Sequence, residues 1–209
     1  MNADTRDRIV RTAMELFWAK GYQSTSISDI LSRCQLHSGS LYHFFPGKQQ
    51  LLVAVLQAYR DGIEPWLLAP AWSGIDDPRD RIFALLQGYR TQLVSTDFAY
   101  GCPIGSLALE MHEPDPEIRE LLAVNFANWT RAVADCLEQM GDRLPAGTDR
   151  TALAELILTV MEGAIMQART FRDVGVFDRN VATLAAHLDA LEAAARAERF
   201  QQEQLQQGE

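Results

Sequence analysis

The sequence predicts an all-α protein. An N-terminal three-helix helix-turn-helix head is followed by a C-terminal helical body, about nine helices in all. Three observations predict this. Apolar residues recur at spacings of three and four along most of the chain, which gathers them on one face of a helix. No segment alternates apolar and polar residues over a useful length, so no strand is expected. Helix start and stop signals recur between the periodic segments.

Residues 4–20 form the first helix. Asp4 or Thr5 can cap it, and Ile9, Ala13, Leu16 and Phe17 share one face. Lys20 and Gly21 supply a C-terminal cation and a stop. Thr25 or Ser26 caps a second helix, with Asp29 three residues after Ser26 as a short capping box. Ile27, Ile30 and Leu31 face inward. A third helix starts at Ser38 and stops at Pro46-Gly47. A fourth runs from Lys48 to about Leu68, with Leu51, Leu52, Val55, Leu56 and Tyr59 on its apolar face. Pro65 is expected to kink or end it. Residues 69–77 read as a loop.

Asp77-Pro78 then opens a helix to about Ser95, and residues 96–103 form a loop. A short helix, 104–111, ends before Pro114. Asp115-Pro116 opens the next, which carries Ile118, Leu122, Phe126, Trp129, Val133 and Leu137 and stops at Gly141. Asp149 opens a helix through Arg172 that Gly175 closes. Asp178 opens the last, to about Phe200, and the polar tail QQEQLQQGE is expected to fray.

Charge separates the two ends. The 209 residues carry a net charge of −9, which alone argues against a nucleic-acid partner. Residues 1–60 hold seven Lys/Arg and four acids, a net of +3, and the remainder is −12. A mildly basic head on an acidic body suits phosphate contact at one end. The three cysteines, Cys34, Cys102 and Cys136, lie far apart without a CxxC, which suggests free thiols in a reducing compartment. The N-terminus lacks an apolar h-region and no run approaches eighteen apolar residues, so a cytoplasmic protein without a membrane span is expected. His37, His43, His112 and His187 show no metal-ligand spacing, and no HExxH, GxSxG, P-loop or GxGxxG occurs. No metal, cofactor or catalytic residue is expected.

The stretch 25–52 carries the most information. Its small Ser38, Gly39 and Ser40 and polar-tipped Tyr42 and His43 could enter a DNA groove without steric conflict. The run TSISDIL…SGSLYHFFPGKQQLL after GY resembles the TetR family of bacterial transcriptional repressors, over roughly residues 8–56. The resemblance implies a DNA-binding domain, 1–47, and a ligand-binding and dimerisation domain, 48–209. It implies phosphate contact from Thr25, Ser26, Tyr42, His43 and Lys48, and base contact from Ser38, Gly39 and Ser40. This chain departs from the family pattern at Gln35, where a turn Gly is usual, at His37, the cap position, and at Ser38, in place of a frequent Lys or Arg. Specificity then leans on Gln35, His37, Tyr42 or DNA shape.

In the body, Leu153, Ile157, Val160, Ala164 and Ala168 recur at spacings of four and three, as do Val181, Leu184, Leu188 and Leu191. The pattern fits a four-helix dimer seam and an internal core stripe equally. A palindromic DNA site needs two heads, and with the family resemblance this favours the homodimer. Trp66, Tyr89, Tyr100, Cys102, Met111, Phe126, Trp129 and Met161 are candidate pocket residues. Residues 100–110 look similar to a stretch in TetR-family members with hydrophobic inducers. The expected partners are a double-stranded operator, a small hydrophobic inducer and a second copy. The alternative is a helical protein-interaction adaptor without DNA binding, with an enzyme a distant third.

Overall fold

A computed structural model describes the backbone of residues 2–207, and every side chain in that span except those of Asn2, Ala3, Ser38 and Gln207. The described residues form ten α-helices and no strand: α1 (Asn2–Lys20), α2 (Ile27–Cys34), α3 (Ser38–Phe44), α4 (Lys48–Gly62), α5 (Ala69–Trp72), α6 (Pro78–Ser95), α7 (Pro103–Glu110), α8 (Pro116–Gln139), α9 (Arg150–Phe171) and α10 (Val174–Gln207). A π-helical segment, Ile63–Leu68, joins α4 to α5. Taken as one helical run, residues 48–72 bring the number among the described residues to the expected nine.

The chain divides into two compact units. One holds Met1–Leu67 and Ala99–Asn128, and the other Leu68–Phe98 and Trp129–Glu209. In the first unit, α1 packs on α2, α4 and α7. Its core is Ile9, Ala13, Phe17, Ile30, Leu41, Leu51, Leu52, Val55 and Leu56, all buried. In the second, α10 packs on α9 and α6 around Ile82, Leu85, Ile157, Met161, Phe177, Leu184 and Leu188. The helix α9 is long and apolar enough to cross a membrane, yet Leu153, Ile157, Met161, Ala164 and Ala168 are buried inside the chain. All three cysteines are buried and unbridged.

Several local expectations are refined or corrected. The regular α4 ends at Gly62, three residues before Pro65, as that proline predicts, but not at Leu68, and the chain stays helical beyond it. Pro65 lacks an N–H and its ring crowds the carbonyl four residues back, and the backbone widens into a π turn there. That turn lays the Trp66 indole on Gly62, where an added Cβ would stand 2.1 Å from the ring. Residues 69–72 are helical, not loop. Arg172, in the left-handed conformation at φ 51°, closes α9 in place of Gly175, and α10 starts four residues before Asp178. Asp178 instead takes a two-pronged pair with Arg90, at 2.7 and 2.9 Å. The C-terminal glutamine-rich stretch continues α10 to Gln207.

Other boundaries follow the sequence signals. Asp149 accepts the Ala152 N–H at 2.9 Å and caps α9. Asp77 accepts the N–H groups of Arg79 (2.8 Å) and Asp80 (3.1 Å) and caps α6. It also meets Arg143 at 2.6 Å, and Arg143 bonds Glu192 of α10 at 2.8 Å. Burial works against the charge on Asp77, but Arg143 and the two N–H groups outweigh it and hold its carboxyl below the usual range. A lowered carboxyl stabilises the fold above its unfolded pKa, about 4, and that contribution fades as pH falls through the folded value. Asp77→Asn keeps a capping oxygen and loses the ion pair, an expected cost under about 1 kcal/mol because the pair is part-exposed. Asp77→Ala loses both and is expected to cost about 1–2 kcal/mol. Urea unfolding should show the Asn variant converging on wild type as pH is lowered from neutrality to below about 4.

Candidate nucleic-acid interface

The capping box at the start of α2 forms as the sequence predicts. Ser26 Oγ accepts the Asp29 N–H at 3.1 Å, and Asp29 Oδ2 accepts the Ser26 N–H at 2.8 Å and its hydroxyl at 2.7 Å. These bonds hold the Asp29 carboxyl below its ordinary range. Ser26 is exposed at the mouth of the helix, where backbone N–H groups and the helix dipole favour phosphate.

Thr25 is corrected: it is fully buried, and its hydroxyl donates to the Gly21 carbonyl at 2.7 Å with the Leu16 carbonyl at 3.2 Å. A hydroxyl turned inward cannot reach a phosphate. Thr25 locks the turn from beneath, and of the two capping candidates only Ser26 presents its hydroxyl outward.

Gln35 closes α2 in the left-handed conformation, φ 55° and ψ 44°. The backbone thus keeps the geometry that glycine usually supplies, with a side chain projecting into solvent. His37 occupies the N-cap of α3 without a side-chain capping bond, and its exposed imidazole is free of that duty.

Leu41 of α3 and Phe45, its C-cap, are buried and fix the helix to the head. Tyr42 lies on the opposite side, 54 % exposed, beside exposed His43 and Gly39. A Cβ added to Gly39 would meet nothing, so this part of the helix is open to close approach. Ser40 is half-buried, and the Ser38 side chain lies outside the described residues. Lys48, at the start of α4, places its ammonium 4.2 Å from the Tyr22 ring centroid and 3.4 Å from the Gln23 carbonyl. Burial lowers its pKa, and nearby Glu110 offsets part of that.

Two features were not legible in advance. Arg6 stacks its guanidinium over Phe45 at 5.3 Å, adding a cation beside the end of α3. Glu110, at the end of α7, accepts the N–H groups of Tyr22 at 3.1 Å and Gln23 at 2.8 Å. Its only sequence signal was membership of the unusual 100–110 segment.

The remaining candidates are placed as follows. Tyr89, Cys102, Trp129 and Met161 are buried, Met111 and Phe126 half-buried, and Tyr100 stacks on Trp18 with centroids 4.7 Å apart. Trp66 is corrected: it is 58 % exposed on the π turn and lines no interior. The dimer stripe is corrected in part, for its six buried residues. Leu153, Ile157, Ala164, Ala168, Leu184 and Leu188 are buried within the chain itself, with Val160, Val181 and Leu191 half-buried beside them. The spacing marks an internal core stripe between α9, α10 and α6. Among the described residues no cluster of three His, Cys, Asp or Glu could hold a metal ion.

Comparison with known proteins gives two family matches. Residues 9–55 match bacterial regulatory proteins of the tetR family, and residues 78–183 match the C-terminal domain of LmrA/YxaF-like transcriptional regulators. An HTH-type transcriptional regulator of Mycobacterium tuberculosis is 33% identical over 180 residues, covering 83% of this chain and 88% of its own. YxaF of Bacillus subtilis, also an HTH-type transcriptional regulator, is 30% identical over 171 residues, 81% of this chain and 87% of its own. The solved regulatory protein TetR from Rhodobacter sphaeroides matches with a TM-score of 0.79 at 27% identity, over 87% of this chain and 97% of that one.

Two substitutions separate support from contact in this region. Thr25→Val is expected to lower unfolding free energy by about 1–2 kcal/mol, the usual loss for a buried hydroxyl bond, and to alter DNA binding only through the turn it holds, with no phosphate contact of its own to lose. Gln35→Gly is expected to raise it by up to about 1 kcal/mol by relieving the left-handed strain. Chemical unfolding paired with a salt titration of binding measures both.

Proposed function

The chain belongs to the TetR family and is a helix-turn-helix transcriptional regulator, and on that premise we propose that it is a ligand-released repressor. It binds a pseudo-palindromic double-stranded operator as a homodimer in the cytoplasm. Residues 1–47 read DNA, and residues 48–209 dimerise and bind a small hydrophobic inducer. The observation that carries the DNA reading is the two-sidedness of α3: Leu41 and Phe45 bury one side while Gly39, Tyr42 and His43 stand open on the other. Ser26 and Lys48 supply phosphate contacts, and Gln35, His37 and Ser40 flank the reading surface. No arginine lies on α3, so guanine is not read in the usual two-pronged way, and groove shape carries more of the specificity.

The dimer face is the outward side of α9. Leu156, Met166 and Phe171 are 44, 53 and 67 % exposed there. Gly163 sits between Leu156 and Met166, and a Cβ added to it meets nothing in the protomer. A mid-helix glycine costs roughly 1 kcal/mol against alanine, and close approach by a second helix gives it a purpose. Met166→Asp is expected to weaken self-association by at least about tenfold, as sedimentation at graded concentration would reveal. Unchanged association would exclude this face.

For the inducer, the buried Trp129 indole N–H has no acceptor among the described residues. An apolar molecule with one acceptor oxygen would satisfy it. Selection of duplexes from a random pool, followed by release with a panel of apolar carbonyl compounds, tests class and ligand together. Absence of salt-sensitive duplex binding would point to the adaptor reading. Linkage requires a true inducer to bind the operator-bound protein more weakly than the free protein, so equal affinities in the two states would sink the release mechanism.

A further inference from the structure

The turn between α1 and α2 is held from several directions, and one holder comes from far along the chain. After α1, Gly21 takes φ 87°, and the next two backbone N–H groups, of Tyr22 and Gln23, point to one place. Successive N–H groups arranged in this way form a small anion-binding concavity. It is filled by a side chain: Glu110 Oε1 accepts from Tyr22 at 3.1 Å and Oε2 from Gln23 at 2.8 Å. The fit leaves no slack, since a Cβ on Gly21 would stand 2.7 Å from Glu110 Oε1. Gly21 is thus required twice, by its backbone angle and by the carboxylate against it.

The same corner supports the DNA-contacting groups. Thr25 ties it inward through the Gly21 carbonyl. Lys48 rests its ammonium on the Gln23 carbonyl and the Tyr22 ring, and Tyr22 packs edge-on against Phe17 at 5.2 Å. Three residues beyond Gln23, Ser26 opens α2. Without the carboxylate, two N–H groups lose their acceptor and the perch of Lys48 loses its anchor. Charge-assisted bonds of this kind are about twice as strong as neutral ones, and an amide cannot replace the set because it offers one acceptor oxygen and turns a donor toward the second N–H.

We propose that Glu110 is a positioning residue for operator binding: from the end of α7, its carboxylate sets the α1–α2 corner that presents Ser26 and Lys48 to the DNA backbone. This rests on the DNA-binding reading above. It also makes α7 a handle on the reading head, because whatever shifts the end of that helix shifts the corner.

The test uses the full chain, a duplex selected from a random pool by the wild-type protein, and the variants Glu110→Gln and Glu110→Asp, with exposed Leu109→Ala as a control. Amide exchange is followed at Tyr22 and Gln23, and duplex affinity is measured across a salt series. Glu110→Gln is expected to speed exchange at those two amides by about tenfold or more and to weaken binding by about tenfold. The slope of log affinity against log salt should fall by about one per protomer, the signature of a lost phosphate contact. A variant that merely unfolds more often would keep the wild-type slope. Glu110→Asp, with the charge but a shorter reach, should fall between, and Leu109→Ala should match wild type. Wild-type affinity and slope in Glu110→Gln would overturn the proposal, as would lost amide protection with unchanged binding. Should Glu110→Gln not fold, Glu110→Asp decides by the same two readings. Failure of the wild type to select any duplex would remove the DNA-binding reading itself, and this inference with it.

Discussion

Helices of eight and seven residues do not persist in water on their own, and α2 and α3 are of that length. Everything about the reading head follows from how they are held. Ile30 and Leu41 are fully buried in the core that α1 and α4 complete, and Phe45 seals the end of α3. The ends of α2 are set by local chemistry: the Ser26–Asp29 box at its start, left-handed Gln35 at its close. Once the inward residues are fixed, a seven-residue helix has few side chains left to face outward. That scarcity keeps the outward face of α3 small and, on the proposed reading, gives its edges a large share of the DNA contacts.

Those edges draw on parts of the chain remote in sequence. The Trp18 indole N–H donates to the Gly101 carbonyl at 2.7 Å while its ring stacks on Tyr100. Asn125, buried on α8, donates to the Leu56 carbonyl of α4 at 3.1 Å. With Glu110, these bonds make residues 99–128 one compact unit with the head. Buried polar bonds of this sort are directional and specify a single arrangement, where apolar packing alone tolerates several.

What the sequence disclosed and what it hid divide along physical lines. Caps were legible because they are local: Ser26, Asp77 and Asp149 each sit immediately before a periodic run and bond N–H groups two or three residues ahead. The exposure of Tyr42 agrees with its reading as a polar-tipped residue able to enter a groove. Thr25 was misplaced because a hydroxyl beside a helix start can turn either way, and only the Gly21 and Leu16 carbonyls beneath it decide the direction. The stripe on α9 was ambiguous because a seam and a core share one period. Pro65 marked where regular α4 gives way, but a π turn has no sequence signature, so the helical continuation through Ile63–Leu68 was hidden. Glu110 was hidden by distance, eighty-eight residues from the amide it serves.

Gln35 has a consequence for how such a protein can change. A left-handed position admits glycine readily, asparagine and aspartate with less strain than most, and β-branched residues hardly at all. Its side chain is also one of the few that project at the corner of the reading surface. Divergence toward a new operator by altering this residue is therefore channelled through a short menu of amino acids. Each choice alters the stability of the head along with its preference, so recognition and foldability cannot drift independently at this position.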